Sequence, residues 1–275
     1  MKPGWTLDDV DWGAFDASKV DPHVLSVIKA SAMIELNAPD YVTYLKNVFH
    51  DDDLMKEAAE QWGKEEQQHG RALGRWVALA DPDFDFDDAF RRFTEGYSLP
   101  LDTDESVRGS RAAELVARCI VESGTTSFYS AVKDSTDEPV LKQVASYIAG
   151  DEMRHYKLFW DHFNRIDGPA TASFRERLTV AIGRIREADD DDEMGYAYYC
   201  ANTAPGAAEF DQKLYGGSYE YYAKGLYRPA HINRLVSMTA KAVGISPQSF
   251  IIRVVSKLTY FLFQRRLRSL TWVTD

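Results

Sequence analysis

The chain has 275 residues, 45% hydrophobic and 27% charged, a balance that suits a soluble folded protein with one sizeable core, or one core plus an extension. A formal net charge of −11 argues against general nucleic-acid binding, and no apolar run approaches the ~18 residues that a transmembrane helix needs. Two cysteines, Cys119 and Cys200, are too few for a disulfide framework or for a four-cysteine zinc or rubredoxin site.

Residues 1–21 read as an irregular arm whose Trp5, Trp12 and Phe15 pack on the body of the protein. The start lacks a signal-peptide core and is followed by Asp-rich sequence, so a cytoplasmic location is expected. A first helix is expected over about residues 22–49, its apolar stripe interrupted by Glu35. Pro39 cannot donate the helical bond to the Glu35 carbonyl, so the spacing predicts a kink or bulge there, with a plain break near Asn37 as the alternative. A second helix is expected over about 53–80, carrying Glu66 and His69. The acidic stretch 81–87 imitates the start of a calcium loop. Phe86 and Arg92 stand where that loop needs Gly and Glu, so it reads as a solvated connection.

The third helix, about 105–133, holds Glu122 at mid-length, and the fourth, about 138–166, is capped by Thr136 or Asp137. Further helical patterns fall near 173–188, 207–226, 229–243 and 247–270, and the acidic run 189–193 reads as a solvated loop. Eight of the 15 tyrosines lie between Tyr196 and Tyr227 and are expected to pack their rings on the bundle. The predicted architecture is all-α: an arm over 1–21, a four-helix bundle over 22–166, and a helical extension over 167–275 packed on it.

The chemistry concentrates in a repeated word. Glu66-Gln67-Gln68-His69 and Glu152-Met153-Arg154-His155 are both Glu-x-x-His, and each has a Glu upstream at matched distance, Glu35 by 31 residues and Glu122 by 30. With 16 Glu and 6 His, chance supplies only about a third of one such match, so two with matched partners are an unlikely coincidence. Residues i and i+3 share a helical face, so Glu66 and His69 can reach one metal, and Glu152 and His155 another. Neighbouring helices then add Glu35 and Glu122. Four buried carboxylates would repel one another, and two divalent cations cancel that charge. Oxygen-rich ligation with one imidazole per metal suits two iron ions, or manganese, or a mixed Fe/Mn pair, about 3.5–4 Å apart in a four-helix bundle.

At Glu65, Glu66 and His69, and at Asp151, Glu152, Arg154 and His155, the sequence resembles the ferritin-like di-iron oxidases. It looks most like soluble acyl-carrier-protein desaturases, and also like aldehyde-deformylating oxygenases, over roughly residues 22–166. The resemblance implies a ferritin-like bundle in which Asp151 bonds His69, and Glu65 bonds His155. It also implies that Thr125, three residues after Glu122, is a catalytic hydroxyl near the place of oxygen activation; bonding back to its i−4 carbonyl is the alternative. Position 73 is Leu73, where ribonucleotide reductase radical subunits carry Tyr, and two distant cysteines cannot build the rubredoxin module of rubrerythrins.

The function this resemblance implies is O2-dependent desaturation or hydroxylation of an apolar, fatty-acyl-type substrate, carried by a protein or lipid. Electrons come from an external donor, because no flavin or nicotinamide fingerprint is present. Two alternatives stand beside it: a ferroxidase or peroxide-scavenging iron protein, and a metal-stabilised helical binding scaffold. A homodimer is also allowed for. Ala32, Ala59, Gly63, Gly124 and Phe128 either leave room for a narrow substrate channel or let helices pack closely.

Charge is unevenly spread. Residues 221–275 hold nine Lys/Arg against the single acid Asp275. The last predicted helix, with Arg253, Lys257, Arg265, Arg266 and Arg268, could dock an acidic carrier protein or an anionic lipid surface. Alternatively, it is a core helix whose basic side chains snorkel and pair with the acidic bundle.

Overall fold

Asp21 starts the first long helix, α1 (Pro22–Leu36). Its carboxylate accepts the backbone N–H of His23 and Val24, and Pro22 sits in the first turn, where no helical donor is needed. The computed structural model describes residues 4–98, 101, 103–189, 192–206 and 209–270, and among these no strand occurs. The arm ahead of α1 forms three short 3₁₀ turns. It buries Trp5, and it packs Trp12 and Phe15 against the core.

The expected continuous first helix is broken. α1 ends at Leu36, the Asn37 N–H bonds back to the carbonyls of Met33 and Ile34, and α2 (Ala38–Val48) restarts with Pro39 in its first turn. A proline is harmless in a first turn and disruptive further in, so the chain breaks where the missing donor matters least.

α3 (Asp53–Ala80) begins at an Asp52 cap on the Met55 N–H. The stretch read as a solvated acidic connection instead carries a helix start: Asp85 accepts the Asp88 N–H and opens α4 (Phe86–Gly96), which buries Ala89 and Phe93. α5 (Arg111–Ser135) starts six residues later than expected, at the Ser110 cap. α6 (Pro139–Arg165) is capped by Glu138, not by Thr136 or Asp137; the Glu138 carboxylate accepts both the Leu141 N–H and the buried Trp76 Nε1.

Beyond α6 lie α7 (Gly168–Thr171), α8 (Phe174–Asp189), α9 (Asp192–Asn202), α10 (Gln212–Gly225), α11 (Pro229–Val243) and α12 (Phe250–Leu267). Helices α7 and α9 were not foreseen. Of the acidic run read as a loop, 190 and 191 lie outside the described residues, while Glu193 is buried in α9 and accepts the Tyr41 hydroxyl at 2.5 Å. Residues 207–208 and 271–275, parts of the expected 207–226 helix and of the basic terminal segment, also lie outside the described residues.

Helices α5 and α6, α1 and α3, and α3 and α6 pack on one another. Two buried apolar clusters divide these helices lengthwise. One holds Val27, Ile28 and Met33 of α1, Leu73 and Trp76 of α3, Val132 of α5 and Ile148 of α6. The other holds Leu45 of α2, Met55 and Trp62 of α3, Leu115 and Cys119 of α5, and Phe159 and Phe163 of α6. Along α1–α2 and α6 the first cluster precedes the second, and along α3 and α5 the order reverses, so α1 and α6 run opposite to α3 and α5. In every helix a polar stretch separates the two clusters at the same level.

Outside this core, α9 and α10 cover α1, α8 and α11 cover α5, and α12 lies over α10 and α11. No helix among the described residues is long and apolar enough to cross a membrane.

Candidate metal centre

Between the two apolar clusters, six side chains meet. Glu35 from α1, Glu66 and His69 from α3, Glu122 from α5, and Glu152 and His155 from α6 are each at most 8% exposed. They form two overlapping groups, Glu35–Glu66–His69–Glu152 and Glu66–Glu122–Glu152–His155. Within each group one ligand-type atom per residue lies within 4.8 Å of all the others.

The overlap has a direction. Glu66 places Oε2 3.4 Å from His69 Nδ1 and Oε1 3.0 Å from His155 Nδ1. Glu152 likewise places Oε1 3.2 Å from His69 Nδ1 and Oε2 3.9 Å from His155 Nδ1. Glu35 reaches only the first imidazole, at 3.6 Å, and Glu122 only the second, at 3.7 Å. Two carboxylates therefore straddle the two groups and two close the ends.

Both imidazoles turn Nδ1 inward because an acid holds the other nitrogen. His69 Nε2 lies 3.0 Å from Asp151 Oδ2, and His155 Nε2 lies 2.9 Å from Glu65 Oε2. An N–H donated from Nε2 leaves the Nδ1 lone pair of a neutral imidazole aimed into the site. Arg154 joins the two acids from outside, 2.5 Å from Asp151 Oδ1 and 3.7 Å from Glu65 Oε2. Asp151 is buried and Glu65 only partly so, which makes the first pair the better shielded.

Thr125 is half-buried and donates to Glu152 Oε2 at 2.6 Å; its contacts to the backbone carbonyls of Val121 and Glu122 are longer, at 3.4 Å. Cys119, one turn before Glu122, is fully buried in the second apolar cluster, and burial pushes its thiol well above the usual range. Of the small residues read as channel or packing, Gly63 belongs to packing, since a Cβ there would lie 2.2 Å from Val42 Cγ2. Gly124 faces open space, while Ala32 and Ala59 are fully buried.

Three contributors escaped the sequence reading. Tyr129, two turns beyond Glu122 on α5, is buried and donates its hydroxyl to Glu35 Oε1. Its i+7 spacing from Glu122 was a usable signal. Trp5 donates Nε1 to Asp151 Oδ2 at 2.8 Å, and its ring lies parallel to that of His69 with centroids 6.2 Å apart. No periodicity could have placed an arm residue there. Gly70 lets α1 and α3 touch: a Cβ would stand 2.7 Å from the Leu36 backbone nitrogen, one residue from Glu35.

The site's charges sort themselves by environment. Burial, then the Glu66 charge, pushes Glu35 well above the usual carboxylate range, and burial with the Glu152 charge does the same to Glu122. Burial opposes ionisation of Glu66 too, but hydrogen bonding to Glu35 and the charge on His155 hold it well below that range. In Glu152, burial and the Glu66 charge are outweighed by the two imidazoles close beside it, which bring it to about 2. Burial would also lower both histidines. The hydrogen bond to Asp151 and the nearby Glu152 raise His69 well above its ordinary value, and the Glu66 charge with the nearby Glu152 raises His155. The raised acids and the raised imidazoles both shift toward the protonated form, so protons offset part of the buried negative charge when no cation does.

Within the two overlapping groups, four buried atoms make no hydrogen bond: His69 Nδ1, His155 Nδ1, Glu122 Oε2 and Glu152 Oε1. Each such orphan costs about 1–3 kcal/mol unless something else fills it. This donor set, carboxylate-rich with one imidazole per group, could hold a metal ion in each group. No protein-family model matches this chain, and no curated protein matches it.

Proposed function

We propose that the chain is a ferritin-like di-iron oxidoreductase that uses O2 to desaturate or hydroxylate an apolar, fatty-acyl-type substrate. In this reading α1, α3, α5 and α6 are the ferritin-like four-helix bundle, and a carrier protein or lipid delivers the acyl chain. The observation that supports it most is the pair of overlapping ligand groups, in which Glu66 and Glu152 each face both imidazoles. A single-metal site has no use for two straddling carboxylates.

Glu35, Glu66, His69 and Glu152 would hold one metal, and Glu66, Glu122, Glu152 and His155 the other. A reduced iron pair supplies the two electrons and the oxygen-binding positions that C–H oxidation needs. The chain's own residues do the rest. Asp151 and Glu65 fix the imidazole tautomers. Tyr129 holds Glu35, and Thr125 holds Glu152 through a hydroxyl that can also hand on a proton at that edge of the site. The apolar clusters above and below keep bulk water from the centre. Reducing equivalents come from an external donor.

The test is anaerobic loading with Fe(II), followed by O2 and a panel of acyl substrates. The expected result is two Fe per chain and an O2 reaction that one acyl class accelerates, with an oxidised product. Two Fe per chain with O2 consumption that no acyl compound alters would point to a ferroxidase instead. Failure to bind a second metal would remove the dinuclear reading.

A further inference from the structure

The terminal helix turns its apolar side outward. On α12, Phe250, Ile251, Val254, Val255, Leu258, Phe261 and Leu262 are 39–76% exposed, whereas Ile252 and Ser256 are buried against the body. At 100° per residue those seven positions fall on one continuous face, directed away from the buried one. Phe250 to Leu262 spans about 18 Å. Exposure on this scale sets aside the expectation of a core helix with snorkelling basic side chains. Snorkelling requires the apolar face to be inside, and here it is outside.

Cations frame that face. Arg253 and Lys257 flank it along one edge, and Arg265 and Arg268 close its C-terminal end; all four are exposed. Arg266 differs, since it turns back to Glu220 at 3.1 Å. Between residues 221 and 270 there is no acidic side chain, although the remainder of the chain is strongly acidic. A helix with an apolar face, basic edges and no acids has the composition of one that lies in a membrane interface, apolar side among the acyl chains and cations at the headgroups.

We propose that α12 seats the protein on an anionic lipid surface. The complementarity argument separates this occupant from a second copy of the chain. Paired with its own copy across a two-fold axis, α12 would set Arg253, Lys257, Arg265 and Arg268 near one another, with no acid on either helix to offset them. Anionic headgroups supply that offset, and the acyl layer beneath them takes the seven apolar side chains. The proposal goes beyond the metal reading and does not depend on it.

The full-length protein is sedimented with vesicles of phosphatidylcholine alone and of phosphatidylcholine mixed with phosphatidylglycerol. The expected result is binding to the anionic vesicles only, weakening as salt rises. Reversing two flanking charges (Arg253→Glu with Lys257→Glu) is expected to weaken binding about tenfold or more. Removing apolar area (Phe250→Ser with Leu258→Ser) is expected to abolish it. Both variants should keep the parent's helical circular dichroism and its melting temperature, which separates loss of docking from loss of fold. Equal binding to both vesicle types, or none to either, overturns the proposal. So does a parent dimer that Phe250→Ser with Leu258→Ser converts to monomer while vesicle binding is absent, because the face then belongs to a second copy.

Discussion

Asp151 Oδ2 stands 3.0 Å from His69 Nε2, and the same oxygen accepts the Trp5 indole N–H at 2.8 Å. One buried carboxylate thus orients a candidate metal ligand and anchors the N-terminal arm over it. Asp151→Ala is expected to lower the affinity for the first metal by about 10- to 100-fold, the usual effect of losing such a partner. Isothermal titration with Mn(II) under anaerobic conditions reads this directly. Unchanged affinity in a folded variant would show that the acid serves only Arg154 and the arm.

Metal loading is expected to release protons, drawn from Glu35, Glu122 and the two imidazoles. All four are groups whose folded pKa lies above its ordinary value. The sign follows for the metal-free fold. The histidine contribution is fully present below 6.5 and lost as pH rises through the folded values; Glu35 and Glu122 likewise lose theirs as pH climbs above 4.5. Glu66 and Glu152 act oppositely, contributing above 4.5 and losing that contribution as pH falls. Metal-free protein should therefore melt at lower temperature as pH is raised from neutrality, while Mn(II)-loaded protein should not. Parallel melting curves at several pH values check this, together with proton release into a weakly buffered indicator.

Gly70→Ala is expected to destabilise the chain by about 1–3 kcal/mol, because the added methyl meets the Leu36 backbone rather than a movable side chain. Separating α1 from α3 also draws Glu35 away from His69, so metal occupancy should fall together with the melting temperature. Gly124→Ala, facing open space within α5, is the control: metal occupancy should hold, and the melting temperature should hold or rise slightly as helix propensity improves.

Thr125→Val removes the hydroxyl bonded to Glu152 while keeping the side-chain shape. Two metals should still bind, and O2-dependent turnover should fall about tenfold or more, with Thr125→Ser restoring most of it. Equal turnover in the valine variant would leave Thr125 a structural hydrogen bond to Glu152 with no part in the reaction.

Glu66→Ala and Glu152→Ala each remove a carboxylate that faces both imidazoles. Either substitution should abolish dinuclear binding, seen as no more than one metal per chain by elemental analysis. Glu35→Ala and Glu122→Ala reach one imidazole each and should weaken mainly one of the two sites. If either bridging variant retains two metals with unchanged spectra, the ligand assignment is wrong.

The sequence alone determined the candidate site's membership. Glu66 with His69, and Glu152 with His155, are joined by helical geometry at i and i+3, and the matched upstream Glu35 and Glu122 repeat that geometry one helix earlier. Helical class was legible for the same reason: apolar periodicity is a local property, and most long helices ended within a few residues of expectation. Local signals were weaker where two readings competed. The caps at Asp85 and Glu138 were overlooked beside neighbouring acids, and Pro39 marked a break rather than a bend.

Only the tertiary structure decided how the pieces meet. Trp5 reaches Asp151 across 146 positions and Tyr129 reaches Glu35 across 94, separations at which no periodic pattern carries information. The place of Glu66 and Glu152 between the two imidazoles, and of Glu35 and Glu122 at the ends, depends on which oxygens face which ring, a matter of helix packing. The outward face of α12 is of the same kind. Its amphipathic pattern was written in the residues, but which side the body would cover depended on how α10 and α11 pack beneath it.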